Sequence, residues 1–156
     1  MRRRALLATA VLAPVSGPVA EPATAVTVEG AWSRPGLARI GTAVAYLRLH
    51  NAGPTPLRLM GGSTPMAQRV EIHQTSTEGG IARMRPRPEG VEVPPGGTVD
   101  LAPGGLHLML IAPARDLQVG DSFPLTLHFA GGGSAEVAVA VTSRVPAPGG
   151  AGHGAR

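Results

Sequence analysis

Two histidines and two methionines carry the most chemistry in this chain: His73, Met84, His107 and Met109, spaced as His-x10-Met-x22-His-x-Met. The stretch Gly105-Leu106-His107-Leu108-Met109-Leu110-Ile111 shows why they stand out. Side chains alternate across a strand, so Leu106, Leu108 and Leu110 share one face while His107 and Met109 share the other. The leucines read as core. An imidazole and a thioether are left about 6–7 Å apart by strand rise, on the face where a domain in water ordinarily carries Thr, Ser or a charge. Upstream, Val70-Glu71-Ile72-His73 repeats the pattern, with Val70 and Ile72 facing the core and His73 facing away. Met84 follows on the far arm of a hairpin that turns at Glu78-Gly79-Gly80, close enough for the two arms to bring His73 and Met84 together.

These donor types suit copper(I). Thioether sulfur is soft and uncharged and favours monovalent copper over zinc or magnesium, while imidazole adds affinity in either copper oxidation state. The chain has no cysteine, so neither a thiolate metal site nor a blue-copper electron-transfer site is available to it. Met also tolerates an oxidising compartment better than a thiolate does, although sulfoxide formation would destroy the ligand.

Any one of these side chains alone reads as an ordinary surface residue, and it is their shared register that argues for a metal. Met84 is the weakest of the four by alternation, since it shares a face with Ala82. His50 precedes the Asn51-Ala52-Gly53-Pro54 turn and reads as a turn residue, His128 as solvated, and His153 as a weak metal contact from the tail. Met60 and Met66 flank a Gly-Gly-Ser-Thr-Pro turn and read as packing residues or auxiliary copper contacts, and Trp32 as a core or rim anchor. Glu71 shares the face of His73 and raises a His/carboxylate zinc hydrolase as a rival, but one carboxylate without a third nitrogen ligand supports it poorly. No Ser/His/Asp, Cys/His, phosphate-loop or paired-carboxylate arrangement stands out, and the chain reads as a binding protein rather than an enzyme.

The elements that must position these residues are strands. Short β-type runs succeed one another between Gly/Pro turns: Val26–Trp32, Ala43–His50, Leu57–Met60, Arg69–Gln74, Ile81–Arg85, Val91–Val93, Thr98–Leu101, His107–Ile111, Phe123–Phe129 and Ala135–Val141. No long window carries a helical stripe. The pattern predicts an all-β fold, an antiparallel Greek-key β-sandwich or barrel.

At 156 residues the chain has room for one domain. Arg2-Arg3-Arg4, the apolar run Ala5–Val15 and Ala23-Thr24-Ala25 describe a secretory signal peptide over residues 1–25, leaving a β-domain over 26–143 and a Pro/Gly/Ala-rich tail over 144–156. The apolar run is too short to span a bilayer, so the mature protein is expected to be exported without a membrane span. Removing the leader takes three of the 14 basic residues and one of the 10 acidic ones, and 11 − 9 leaves +2. Lys is absent and the aromatics are few, so nothing supports nucleic-acid binding.

The chain resembles the periplasmic copper chaperones of the PCuAC type, whose hallmark is a His/Met motif of this form. The likeness runs from Gly30-Ala31-Trp32-Ser33-Arg34 through Ala43–Asn51, His73–Met84, Pro94-Pro95-Gly96-Gly97 and Gly104-Gly105-Leu106-His107-Leu108-Met109-Leu110 to Gly120-Asp121 and Leu125-Thr126-Leu127. It departs at Gln74, where family members often carry Met, and in a Met84–His107 spacing about one residue longer than the family pattern, which a Pro/Gly turn absorbs. The resemblance implies a cupredoxin-like or immunoglobulin-like sandwich in the periplasm. It implies that His73, Met84, His107 and Met109 hold one copper(I) ion in a shallow, solvent-reachable site. The ion would pass to the copper-site subunit of cytochrome c oxidase or to another periplasmic copper carrier, with the chaperone acting as a monomer. The rival from another class is a metal-free exported β-sandwich used for adhesion or assembly.

Overall fold

The computed structural model describes residues 25–146. The expected leader and His153 therefore lie outside the described residues. Ten strands make up the fold: β1 (Val26–Ser33), β2 (Thr42–Asn51), β3 (Leu57–Ser63), β4 (Ala67–Glu78), β5 (Ile81–Pro86), β6 (Val91–Val93), β7 (Thr98–Leu101), β8 (Leu106–Pro113), β9 (Ser122–Phe129) and β10 (Ser134–Val141), with a short 3-10 turn at Ala38–Ile40. Each begins within two residues of its sequence expectation. The largest extension is at β4, which continues four residues past Gln74 to form a long hairpin with β5.

The strands pair in the order β5-β4-β8-β2-β1-β10-β9-β3-β6, and β3 returns to β4 through Gly62↔Val70. The two layers of the sandwich are thereby joined into a ring, with β5, β6 and β7 attached at its rim on β4, β3 and β2. The all-β, cupredoxin-like expectation is borne out. One seam differs from a purely antiparallel sheet: β1 and β10 run parallel, with Trp32↔Ala140 and Ser33↔Val141 in register. These strands come from opposite ends of the domain, so no hairpin constrains their relative direction.

Alternation fills the interior. Leu47 and Leu49 of β2, Ile72 of β4, Leu108 and Leu110 of β8, Leu125 and Leu127 of β9 and Val139 of β10 all point into one core cluster. A fully buried leucine contributes about 1.5–3 kcal/mol by removal from water. Leu106, the third leucine expected in the core, sits at its margin, half-buried.

One break in alternation decides the layout of the outer face. On β1, Val28 pairs with Leu49 and Glu29 with Arg48, but the next pair is Trp32↔Tyr46, so three steps on β1 match two on β2. The extra residue falls at Gly30–Ala31, and Gly30 has φ +57°, a conformation that glycine adopts at no steric cost. Without this bulge Trp32 would share the inward face of Val28. With it, Trp32 turns outward, opposite Tyr46.

Candidate metal centre on the outer face of the sheet

Neighbouring strands lie about 4.8 Å apart, so directly paired residues on one face touch. Across β1, β2, β8 and β4 the outer face carries one continuous row: Trp32, Tyr46, His107 and His73. Trp32 pairs with Tyr46, His107 pairs with His73, and the Ala45↔Leu108 pairing sets Tyr46 beside His107. The ring centres are 4.7 Å apart for Trp32–Tyr46, 6.4 Å for Tyr46–His107 and 6.1 Å for His73–His107. In the next row Met109 lies between Val44 of β2 and Glu71 of β4.

Trp32, Tyr46 and Met109 are buried yet stand apart from the main core cluster. They form a second, smaller apolar layer on the outside of the sheet, and His107 is part of it. His107 is only 4 % exposed and Met109 7 %. The expectation of a shallow site with exposed ligands is corrected here. Alternation places both residues away from the leucine core as expected, but that face is itself covered, with Tyr46 of the adjoining strand beside His107 and Trp32 beyond it.

Burial makes the hydrogen bonding of His107 decisive. Its Nδ1 lies 3.0 Å from the carbonyl oxygen of Gly105, which can only accept, so Nδ1 carries the proton. Nε2 is then a bare lone pair, fully buried and without a hydrogen-bond partner. Such an orphan acceptor ordinarily costs about 1–3 kcal/mol. Beside it, the His73 side chain is 14 % exposed and its Nε2 lies 3.1 Å from Oε2 of Glu71. The same carboxylate receives Nε–H of Arg69 at 3.2 Å. The hydrogen bond from His73, and after it that from Arg69, holds the Glu71 carboxyl below the usual carboxylate range. The second imidazole is thus tied to an ionised acceptor.

An ion bonded to a ring nitrogen at about 2.0–2.1 Å sits about 3 Å from the ring centre. Two imidazoles sharing one ion therefore have centres at most about 6 Å apart. The 6.1 Å separation of the His73 and His107 ring centres lies at this limit, which a shared ion meets with the two nitrogens nearly opposite each other or after a small shift of one ring.

Met84 occupies a different corner. It pairs with Thr75, so it shares the outer face with His73 but lies two residues along toward the hairpin tip, whereas Met109 lies two residues the other way, opposite Glu71. Between the two sulfur-bearing residues the backbone runs about 13 Å along the strands and about 10 Å across them. Met84 is 52 % exposed, on a strand whose residues are all exposed. The structure therefore gathers His73, His107 and Met109 and leaves Met84 on the same face, out on the arm.

The other candidates fall as expected or near it. His50 ends β2 against the Thr98 hydroxyl and His128 lies 2.9 Å from the Ser63 hydroxyl, both at the surface. Met66 is in the core and Met60 is exposed. Among the described residues no group of three or more His, Cys, Asp or Glu side chains is placed to hold one metal ion, the donor types a zinc site draws on. Sequence reasoning passed over Tyr46 and set Glu71 beside His73 only as a zinc ligand, not as its hydrogen-bond partner. The signal for Glu71 was its position two residues before His73 on one strand face.

Residues 26–141 match the family described as "Putative lipoprotein LpqE-like". The chain belongs to this LpqE-like family. A putative lipoprotein of Leifsonia xyli subsp. xyli is 33% identical over 119 residues, covering 76% of this chain and 70% of its own. An uncharacterized protein of Rickettsia prowazekii is 30% identical over 101 residues, covering 63% of this chain and 56% of its own. Among solved structures, the copper-bound PCuAC domain from PmoF2 superposes with a TM-score of 0.63 at 25% identity, over 77% of this chain and 94% of that one. The copper(I) form of DR1885 from Deinococcus radiodurans superposes with a TM-score of 0.61 at 32% identity, over 81% and 82%. The PCuAC resemblance is therefore borne out by both fold and family, and this LpqE-like chain carries a PCuAC-type domain.

Proposed function

We propose that this LpqE-like protein is an exported copper(I) chaperone that holds one ion through His73, Met84, His107 and Met109 and gives it up to a partner. The observation that carries the reading is the buried, unpartnered Nε2 of His107, on a ring whose centre lies 6.1 Å from that of a second imidazole, with a thioether in the adjoining row. A protein gains from such an orphan nitrogen when a ligand satisfies it. The donors are neutral and half of them are sulfur, which selects a soft monovalent cation. The copper-bound state of two structural neighbours supports the same reading.

The geometry divides the work among the ligands. His107 and Met109 are fixed by burial and form the floor, and His73 closes one side. Met84 reaches the ion only when the β4–β5 arm leans over the face, so it is the ligand that arrives last and leaves first. An incoming donor from a partner replaces Met84 first and then works inward. The lipoprotein description of the family and of the Leifsonia relative supports an exported protein; the leader over residues 1–25 and the tail over 144–156 rest on the sequence pattern. Its recipient is the copper-site subunit of cytochrome c oxidase or another periplasmic copper carrier, and it serves as a monomer.

Competition against a copper(I) chelator tests the function. One equivalent of copper(I) is expected to be withheld by the protein, and zinc is expected to compete poorly. Equal retention of zinc, or no retention of copper(I), would refute the proposal.

A further inference from the structure

Glu71 is the residue on the outer face whose role the ligand set leaves unassigned. It stands directly across from Met109 and two residues from His73, on the same face as both. Its carboxylate touches the ring of His73 through Nε2, at 3.1 Å. A carboxylate can only accept, so this contact requires the proton of His73 to sit on Nε2 and leaves the lone pair on Nδ1. His107 has the opposite arrangement, with its proton on Nδ1 and its lone pair on Nε2.

Building on the copper site proposed above, we infer that Glu71 is a positioning residue that makes the site asymmetric, with copper held by Nδ1 of His73 and Nε2 of His107. Two neutral imidazoles on adjacent strands would otherwise each be free to ligate through either nitrogen. The Gly105 carbonyl fixes one ring and Glu71 fixes the other. Metal-bound histidines ordinarily donate their second ring N–H to a carboxylate or a carbonyl in this way, which sets the tautomer and raises the basicity of the ligating nitrogen. Glu71 also supplies the negative charge nearest to a ligand set that has none of its own. Arg69 steadies the carboxylate from its other oxygen. The Glu71 side chain is 39% exposed, so the space left by its replacement opens to solvent.

The test is nitrogen-15 imidazole NMR of the whole protein, metal-free and loaded with copper(I), alongside chelator competition and thermal unfolding for wild type, E71Q and E71A. In the wild type, His73 is expected to show its proton on Nε2 in both states, with copper shifting Nδ1 of His73 and Nε2 of His107. E71A is expected to lose that tautomer preference and to bind copper(I) about tenfold to 100-fold more weakly, with a small drop in unfolding midpoint from the lost hydrogen bonds to His73 and Arg69. The E71Q amide oxygen can accept the same hydrogen bond, so E71Q is expected to keep the tautomer and to lose less affinity than E71A. Copper bonded to Nε2 of His73, an E71A protein with wild-type affinity, or E71Q falling as far as E71A would each overturn the assignment. These results differ from failure of the copper site itself, in which copper(I) would leave the signals of His107 and the Met109 methyl group unmoved in the wild type.

Discussion

Burial separates the two methionines at the level of single residues. Met109 is buried between Val44 and Glu71, so Met109→Ala would confound loss of a ligand with a cavity worth about 2–5 kcal/mol. Met109→Leu keeps the volume and removes only the sulfur. It is expected to change stability by less than about 1.5 kcal/mol while weakening copper(I) binding about 100-fold, or ~2.8 kcal/mol. Denaturant unfolding and chelator competition on the same sample check both halves, and unaltered affinity would remove Met109 from the site. Met84→Ala should leave the unfolding midpoint unmoved, because Met84 is exposed, and should accelerate copper release more than Met109→Leu does. Stopped-flow capture of the released ion reads the difference, and equal or slower release from Met84→Ala would contradict the order of ligand loss. The shared outer face of His73, Met84, His107 and Met109 was legible in the sequence because alternation is a local rule and the leucines of β8 declare which side is core. The burial of His107 and Met109 was not legible, because it depends on Trp32 and Tyr46 of two other strands.

At the level of elements, the Gly30 bulge carries Trp32 to the site side of the sheet. Gly30→Val places a β-branched residue at φ +57°, where L-residues are strained by about 1–2 kcal/mol. The variant is expected to lose about that much stability and to shift the emission of Trp32, the only tryptophan, to the red as its ring leaves Tyr46. A protein with unchanged stability and emission would show that the bulge is not what orients Trp32. The strands themselves could be read from the chain because Gly/Pro turns punctuate them and period-two alternation fills them. The bulge was not read, since Gly30 falls inside the expected strand Val26–Trp32 and only pairing with β2 reveals the extra residue. The length of the β4–β5 hairpin was likewise hidden: Thr75, Ser76 and Thr77 carry no apolar alternation, and their strand character comes from pairing with Met84, Arg83 and Ala82.

For the whole molecule, closure of the ring and the parallel β1–β10 seam join segments far apart in sequence, and no local pattern announces either. Stability rests on the leucine-rich core, with surface ion pairs as a small addition. Arg48 holds the Asp100 carboxyl below its usual range by a hydrogen bond, and the backbone N–H of Gln118, followed by Arg115, does the same for Asp121. Carboxyls depressed in the folded state contribute stability that is present above their unfolded values and lost as pH falls through the folded ones. The unfolding midpoint is therefore expected to hold steady from neutral pH down to about 5 and to decline below about 4, with the decline softened by salt. A midpoint that rose on acidification would contradict these pairings. The central claim is that imidazole nitrogen and thioether sulfur from distant parts of the chain meet at one copper(I) ion on the outer face of the sheet. X-ray absorption at the copper edge of the copper(I)-loaded protein measures this directly. Two nitrogen and two sulfur donors are predicted, falling to one sulfur in Met109→Leu, and a first shell of nitrogen and oxygen alone would contradict the account.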